Sequence, residues 1–215
     1  METKNYLDDI TEIKQMMHRS SRFLSLSGLS GVLAGIYALI GAYIAKQQIQ
    51  NYVGPTEAYR GSDSIGLLNA ISSPSLMRTL LLIAIIVVAL AMITGVLLSI
   101  KKSKKSGEKL WDVSSKRLFV NFFIPLVAGG LFCMALLQNR YYDMIAPATL
   151  IFYGLACVNA SKHTIGDVRY LGMANIVIGI ISTQFLGYGL YFWALGFGFF
   201  HIFYGALMYF KHDRS

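Results

Sequence analysis

The sequence places a few polar side chains inside long apolar runs, and His201 is the most informative of them. It lies about ten residues before Lys211, hence roughly 15 Å from the end of the last apolar run. Small residues share its helical face, which predicts that His201 points toward the protein interior. Ionisable side chains at such a depth usually mark functional sites, where an imidazole binds a ligand or handles a proton. The alternative is a structural histidine whose ring is hydrogen-bonded to a tyrosine or a backbone carbonyl.

Other polar residues in the apolar runs are candidates for a cavity near His201, in the cytoplasmic half of the bundle. They are Asn175, Tyr153, Tyr204, Asn121 and Asn159. Together these amides and phenols could bind a polar ligand. The alternative is that each one hydrogen-bonds a neighbouring helix, at about 0.6–2 kcal/mol for each bond.

Recognised catalytic and metal-binding patterns are missing from the sequence. It contains no H-E-x-x-H, no G-x-S-x-G, no phosphate-binding loop and no pair of carboxylates within an apolar run. His18, His163 and His212 lie at the edges of the runs, so no second histidine is placed to share a haem with His201. Cys133 and Cys157 are predicted at depths about 15 Å apart, beyond disulfide reach. We therefore predict no catalytic residue, no metal site and no cofactor, and an enzyme is unsupported.

The apolar runs that must position these residues have the length of membrane spans. Of the 215 residues, 55% are apolar and only 14% are charged, which predicts an all-α protein with lipid as its main solvent. Stretches free of Asp, Glu, Lys and Arg define the spans, and the last stretch is long enough for two helices that turn at Gly187-Tyr188-Gly189. The six predicted transmembrane helices cover residues 23–45, 77–100, 118–138, 143–161, 170–187 and 190–210.

The positive charges predict the orientation of these spans. With the N-terminus inside, the inner segments hold 15 of the 19 Lys and Arg residues, and residues 101–117 alone hold seven. Both termini are therefore predicted to be cytoplasmic, and the short loops fit a bacterial inner membrane. The net charge of +8 comes from Lys and Arg residues between the apolar runs, where they set the topology. It is therefore not evidence for nucleic-acid binding. The long outer loop, residues 46–76, shows little periodicity.

Three regions follow from this topology. Residues 22–211 form the bundle, and residues 212–215 form a cytoplasmic tail. Residues 1–21 place Tyr6, Ile10, Ile13 and Met17 on one helical face, which predicts an amphipathic helix at the cytoplasmic surface. The alternative for residues 1–21 is a lead-in that only sets the topology.

Small residues form a seam along the first span. Gly28, Gly31 and Gly35 recur at spacings of three and four, and such seams let helix backbones approach closely in lipid. Packing within one chain is the simpler interpretation, and a homodimer seam is the alternative.

An internal repeat is indicated by a duplicated tetrapeptide. Ile-Phe-Tyr-Gly occurs at 151–154 and at 202–205, each time ahead of a Lys-His pair. The two copies predict that the spans form three in-out-in hairpins, with Gly154 equivalent to Gly205 and both at packed positions. The chain resembles small bacterial six-helix inner-membrane proteins without assigned activity. Its hairpin arrangement is similar to that of the acid-resistance membrane proteins of the HdeD type, and this resemblance implies a fold but no functional residues.

These observations favour a non-enzymatic helix bundle that binds or senses a ligand or stabilises a partner. The expected partners are membrane lipids and either a second copy or another membrane protein. The alternative is a small transporter or channel with a polar cavity near His201.

Overall fold

The computed structural model describes residues 27–53, 73–106, 113–164 and 166–213, and these residues form helices joined by short turns, with no β-strand. The first three helices are α1 (Gly28–Val53), α2 (Pro74–Ser106) and α3 (Val113–Gln138). Helix α4 (Ile145–Ala160) lies between two 3₁₀ turns, Tyr142–Met144 and Ser161–His163, and α5 is Val168–Ser182. We call the last helical segment α6. It comprises an α-helical start Gly189–Trp193, a π-helical part Ala194–Phe199, an α-helical part Phe200–Met208 and a π-helical end Tyr209–Asp213.

In the part of the chain that the structure describes, five helical segments are long and apolar enough to cross a membrane. They are Gly28–Tyr52, Pro74–Lys105, Val113–Gln138, Tyr142–His163 and Gly189–Lys211. Helix α5 is apolar but has only 15 residues, about 22 Å of helix against a hydrocarbon core of about 30 Å. By length and composition the chain is an all-helical, multi-pass membrane protein.

The predicted fifth span, 170–187, was too long at its end. Helix α5 stops at Ser182, and the next residues turn through bonds to carbonyls three residues back, such as Thr183 N–H to the Ile180 carbonyl at 3.2 Å. Gly187 completes the turn with φ of 88°, a left-handed conformation that favours glycine. The sequence therefore predicted the correct glycine for the turn, but the turn begins earlier, after Ser182. The helix end was misplaced because residues 183–187 carry no charge that would mark it.

Several helices extend beyond the spans predicted for them. Helix α1 continues past residue 45 to Val53, and α2 covers Pro74–Ser106 instead of 77–100. Helix α6 continues into the predicted tail, as far as Asp213. Lys and Gln are good helix formers, so a helix does not end where charges begin. The predicted amphipathic helix at residues 1–21 lies outside the described residues, as does most of the outer loop.

The helices pack in a chain of neighbours. Helix α2 packs on α1, α1 packs on α6, and α6 contacts both α4 and α5, while α4 packs extensively on α5 and also on α3. Several of the best-buried apolar side chains lie on α4, including Leu150, Ala156 and Cys157. Helices α2 and α3 lie at the two ends of this series of contacts, and α6 joins α1 to α4 and α5.

The small-residue seam of α1 packs on α6 within the chain, as its spacing predicted. A Cβ atom added to Gly35 would lie 2.6 Å from the carbonyl oxygen of Gly198 and 2.9 Å from the backbone nitrogen of Ile202. One added to Gly31 would lie 3.2 Å from the Cα of Gly205. Such close approach is the usual basis of helix association in lipid. Here it brings α6, with His201, firmly against α1.

A second glycine seam joins α4 to α5. A Cβ atom on Gly154 would lie 2.5 Å from the carbonyl oxygen of Gly172, and one on Gly179 would lie 2.7 Å from Cγ1 of Ile151. Gly172 and Gly179 are seven residues apart in the sequence. The first tetrapeptide copy thus packs its isoleucine and its glycine on two glycines of the neighbouring helix.

The second tetrapeptide copy packs in the same way. Ile202 lies against Gly35, and Gly205 lies against Gly28, with a Cβ on Gly205 only 2.7 Å from the Gly28 carbonyl oxygen. Gly28 and Gly35 are also seven residues apart. The two copies therefore have the same packing role, one on α5 and the other on α1.

Candidate functional site

His201 is buried between α6 and α4, with 7% of its surface exposed. Its Nδ1 lies 2.9 Å from the carbonyl oxygen of Gly196, and its Nε2 lies 2.6 Å from the hydroxyl of Tyr153. A carbonyl can only accept, so Nδ1 carries the proton and donates, and the Tyr153 hydroxyl donates to Nε2. The prediction that His201 faces the interior with a polar partner is confirmed. Both ring nitrogens are occupied, and the tyrosine bond ties α6 to α4.

The Gly196 carbonyl belongs to the π-helical part of α6. There the backbone N–H of Phe200 bonds the carbonyl of Leu195, five residues earlier. A π-helical turn inside a helix is rare and frequently lies at a functional site. Neither this turn nor the role of Gly196 was predicted. The available signal was the pair Gly196 and Gly198, which lie five and three residues before His201.

Gly196 also allows α6 to approach α5. A Cβ atom at Gly196 would lie 2.5 Å from Oδ1 of Asn175 and 2.8 Å from Cδ1 of Ile178. Asn175 is fully buried, and its Nδ2 donates to the Leu171 carbonyl at 2.9 Å. The π-helical part is therefore the place where α4, α5 and α6 meet.

Aromatic rings pack on the histidine and on its tyrosine partner. The Phe197 ring lies 4.9 Å from the Tyr153 ring and 5.9 Å from the His201 ring, stacked on the imidazole. Phe122 of α3 meets the Tyr153 ring edge-on at 6.1 Å. These contacts place aromatic side chains against both members of the hydrogen-bonded pair.

Three buried polar atoms near these helices have no hydrogen-bond partner within the described part of the chain. They are Oδ1 of Asn175, Oγ of Ser182 and the hydroxyl of Tyr204. Tyr204 lies near Cys157, which is one helical turn along α4 from Tyr153. Cys157, like Ser182, was not among the predicted site residues. An unpaired buried polar group costs about 1–3 kcal/mol, so these atoms are available to a polar molecule or to a changed arrangement of the helices.

Asn121 and Asn159 form a separate pair of contacts. Nδ2 of Asn159 donates to the backbone carbonyl of Asn121 at 2.8 Å, and Nδ2 of Asn121 donates to the Arg117 carbonyl at 2.8 Å. They join α3 to α4, as the hydrogen-bonding alternative expected. The structure thus brings His201, Tyr153 and Asn175 to the π-helical part of α6, places Tyr204 nearby beside Cys157, and assigns Asn121 and Asn159 to another helix pair.

Within the ranges described, no group of three or more His, Cys, Asp or Glu side chains is arranged to hold a metal ion. Cys133 and Cys157 are free thiols. Helices α4, α5 and α6 therefore meet in a closed junction around His201. In it Tyr153 donates to His201, and His201 donates to the Gly196 carbonyl.

Comparisons with protein-family models, with curated proteins and with solved structures find no match to this chain.

Proposed function

We propose that the chain is a non-enzymatic membrane protein that binds a partner through its helix bundle, as a sensing or stabilising subunit. The observation that carries this proposal is the exposure of α2. None of the residues in the most apolar 18-residue stretch of α2 is buried, whereas the other four long spans bury 11–44% of theirs. This 33-residue helix packs on α1 alone among the described helices and leaves that stretch uncovered, so its outer surface is suited to pack against another membrane protein.

The chemistry of the α2 surface supports such a contact. Its side chains Leu82, Ile85 and Leu97 are about 60% exposed, and a Cβ atom on Gly95 would meet nothing within 4 Å. Small residues on an uncovered helix face allow a second helix to approach closely in lipid. The partner is a second copy of the chain or another membrane protein.

The closed junction at His201 supports binding in preference to passage. The buried histidine has both nitrogens bonded, to Tyr153 and Gly196. A pathway for water or ions would need to break these bonds and displace the rings around them.

Photocrosslinking from α2 in native membranes tests the proposal. A photoreactive amino acid at Ile85 is expected to give a discrete protein adduct, because this side chain is 62% exposed on α2. The same amino acid at Val177 of α5, which is 53% exposed, is the matched control and is expected to give lipid adducts. Lipid adducts from both positions would contradict the proposal.

A small transporter or channel is the second candidate function. The unpaired buried atoms of Asn175, Ser182 and Tyr204 favour it, because they could receive water or a solute once the helices move apart. In proteoliposomes a proton pathway through this region would dissipate a pH gradient, and His201→Gln would abolish the flux because an amide does not titrate near neutral pH. A gradient that decays equally with and without the protein would exclude this candidate for protons.

We further infer a bacterial inner membrane location with both termini in the cytoplasm. The start of α1 and the end of α6 lie together, with Gly28 against the backbone of Tyr209. The start of α5 is at the same end, where Lys211 pairs with Asp167 at 2.7 Å. This end of the bundle also carries the excess of Lys and Arg that usually stays inside.

Cysteine labelling in intact cells tests this orientation. In a chain with Cys133 and Cys157 replaced by alanine, Lys104→Cys is expected to stay unlabelled by an impermeant maleimide. Tyr141→Cys, at the other end of α3 and 62% exposed in the wild type, is expected to be labelled. The reverse pattern would overturn the assignment.

The internal repeat belongs to the same proposal. In each tetrapeptide copy the isoleucine and the glycine pack on two glycines that lie seven residues apart in the neighbouring helix. This shared packing supports equivalent hairpins, as the similarity to proteins of the HdeD type implies. The first hairpin would be the divergent copy, in which α2 keeps Gly95 but lacks the rest of the tetrapeptide.

A further inference from the structure

A surface depression lies at the turn between α4 and α5. It has a volume of about 370 Å³ and is lined by Ser161, Lys162, Gly166, Asp167, Arg169 and Tyr170. The depression is open on one side, so it can accept a headgroup but does not enclose a whole small molecule. The depression is separate from the His201 junction and is not needed for the partner-binding surface on α2.

The charge in this depression is positive and not neutralised by the protein. Asp167 is paired with Lys211 at 2.7 Å. Lys162 and Arg169 are exposed and form no ion pair or side-chain hydrogen bond among the residues that the structure describes. Two cations therefore remain available, and Arg in particular suits the paired oxygens of a phosphate.

Gly166 faces open space. An added Cβ atom there would meet nothing within 4 Å. Glycine also occurs where a ligand must approach the backbone closely. At Gly166 the missing side chain leaves the backbone open to the depression, beside Lys162 and Arg169.

The depth of the depression indicates the source of the anion. Helix α5 spans only about 22 Å, so its two ends cannot both clear a hydrocarbon core of about 30 Å. Its first turn carries Arg169 and follows Asp167, and charged side chains are costly inside the hydrocarbon, so this end lies at the level of lipid headgroups. Tyr170, which is 71% exposed, suits that level because tyrosine is enriched at membrane interfaces.

We propose that Lys162, Arg169 and the open backbone at Gly166 bind the phosphate of an anionic phospholipid headgroup. The lipid's acyl chains lie along the exposed surface of α5, and its phosphate enters the depression. Free inorganic phosphate shares this chemistry but lacks the acyl chains, so its binding is expected to be much weaker.

Native mass spectrometry of the purified full-length chain tests the proposal. The protein is extracted from phosphatidylcholine vesicles or from vesicles in which part of that lipid is replaced by phosphatidylglycerol. We expect retained phosphatidylglycerol on the wild type. The Lys162→Gln/Arg169→Gln variant should bind it about 25-fold more weakly, because each basic residue near anionic lipid contributes about a fivefold factor.

The control variant also removes two positive charges at this end of the bundle, but outside the depression. Lys104→Gln/Lys105→Gln alters two exposed lysines of α2 and should retain phosphatidylglycerol like the wild type. An equal loss in both variants would overturn the site, since binding would then follow net charge alone. Displacement of the lipid by equimolar inorganic phosphate would overturn the lipid headgroup as the ligand.

A second variant tests the proposal independently, in case the double substitution misfolds. Gly166→Asp adds a negative charge in open space, so the protein should keep the melting temperature that it has in phosphatidylcholine. It should nevertheless lose retained phosphatidylglycerol. Retention equal to that of the wild type would contradict the proposed place of the phosphate.

Discussion

Replacing Gly205 by alanine is expected to lower the free energy of unfolding by about 3 kcal/mol, the upper end of the usual cost of overpacking. The added methyl would lie 2.5 Å from the backbone nitrogen of Val32 and 2.7 Å from the carbonyl oxygen of Gly28. Both are backbone atoms, so no side chain can rotate away. Helices α1 and α6 must then separate, and α6 would shift at His201. Unfolding by denaturant or heat in detergent micelles measures the change.

Gly95→Ala is the matched control. Gly95 precedes Lys101 by six residues, as Gly205 precedes Lys211, but an alanine methyl there would meet nothing within 4 Å. We expect a change within about 0.5 kcal/mol, as for other exposed positions. Equal stability of the two variants would show that the α1–α6 seam does not hold the bundle together.

Replacing Tyr153 by phenylalanine is expected to cost about 1–3 kcal/mol, the penalty for leaving a buried hydrogen-bonding group unpaired. The lost hydroxyl donates to Nε2 of His201 at 2.6 Å, deep between α4 and α6. The substitution keeps the ring and its contacts with Phe197. The loss therefore reports the hydrogen bond and not the packing. The same unfolding measurement in micelles determines it.

Tyr204→Phe is the control for this hydroxyl. Tyr204 holds the same place in the second Ile-Phe-Tyr-Gly copy, but its buried hydroxyl has no partner within the described ranges. Its removal is expected to leave the stability unchanged within about 0.5 kcal/mol or to raise it. A loss as large as that of Tyr153→Phe would mean that Tyr204, too, is held by a hydrogen bond.

Local patterns were enough to predict much of the fold. Charge-free stretches located five long helices because a charged side chain is costly inside the hydrocarbon. The glycine spacing of α1 predicted its packed face, since only close backbones need such a seam. The depth of His201 predicted an interior position with a polar partner, because an unpaired imidazole in lipid is unfavourable.

Features that depend on several helices together were not predictable. The π-helical part of α6 forms where Gly196 meets Asn175 and Leu150 from two other helices. The separation of Asn121 and Asn159 from His201 depends on how α3 is rotated against α4. The low burial of α2 had a signal that went unused, since α2 is the most apolar of the five long helices, as expected for a helix that faces lipid or a partner.

The reactivity of Cys157 tests most directly whether the bundle is a closed junction that acts by binding. Cys157 is 2% exposed and lies beside Tyr153. In a Cys133→Ala chain reconstituted in vesicles, a small cationic thiosulfonate that needs water to reach its target is the probe. The closed junction predicts that Cys157 stays unmodified while an added Lys104→Cys reacts fully. Modification of Cys157 at a comparable rate would contradict it, because water would then reach the tyrosine–histidine pair.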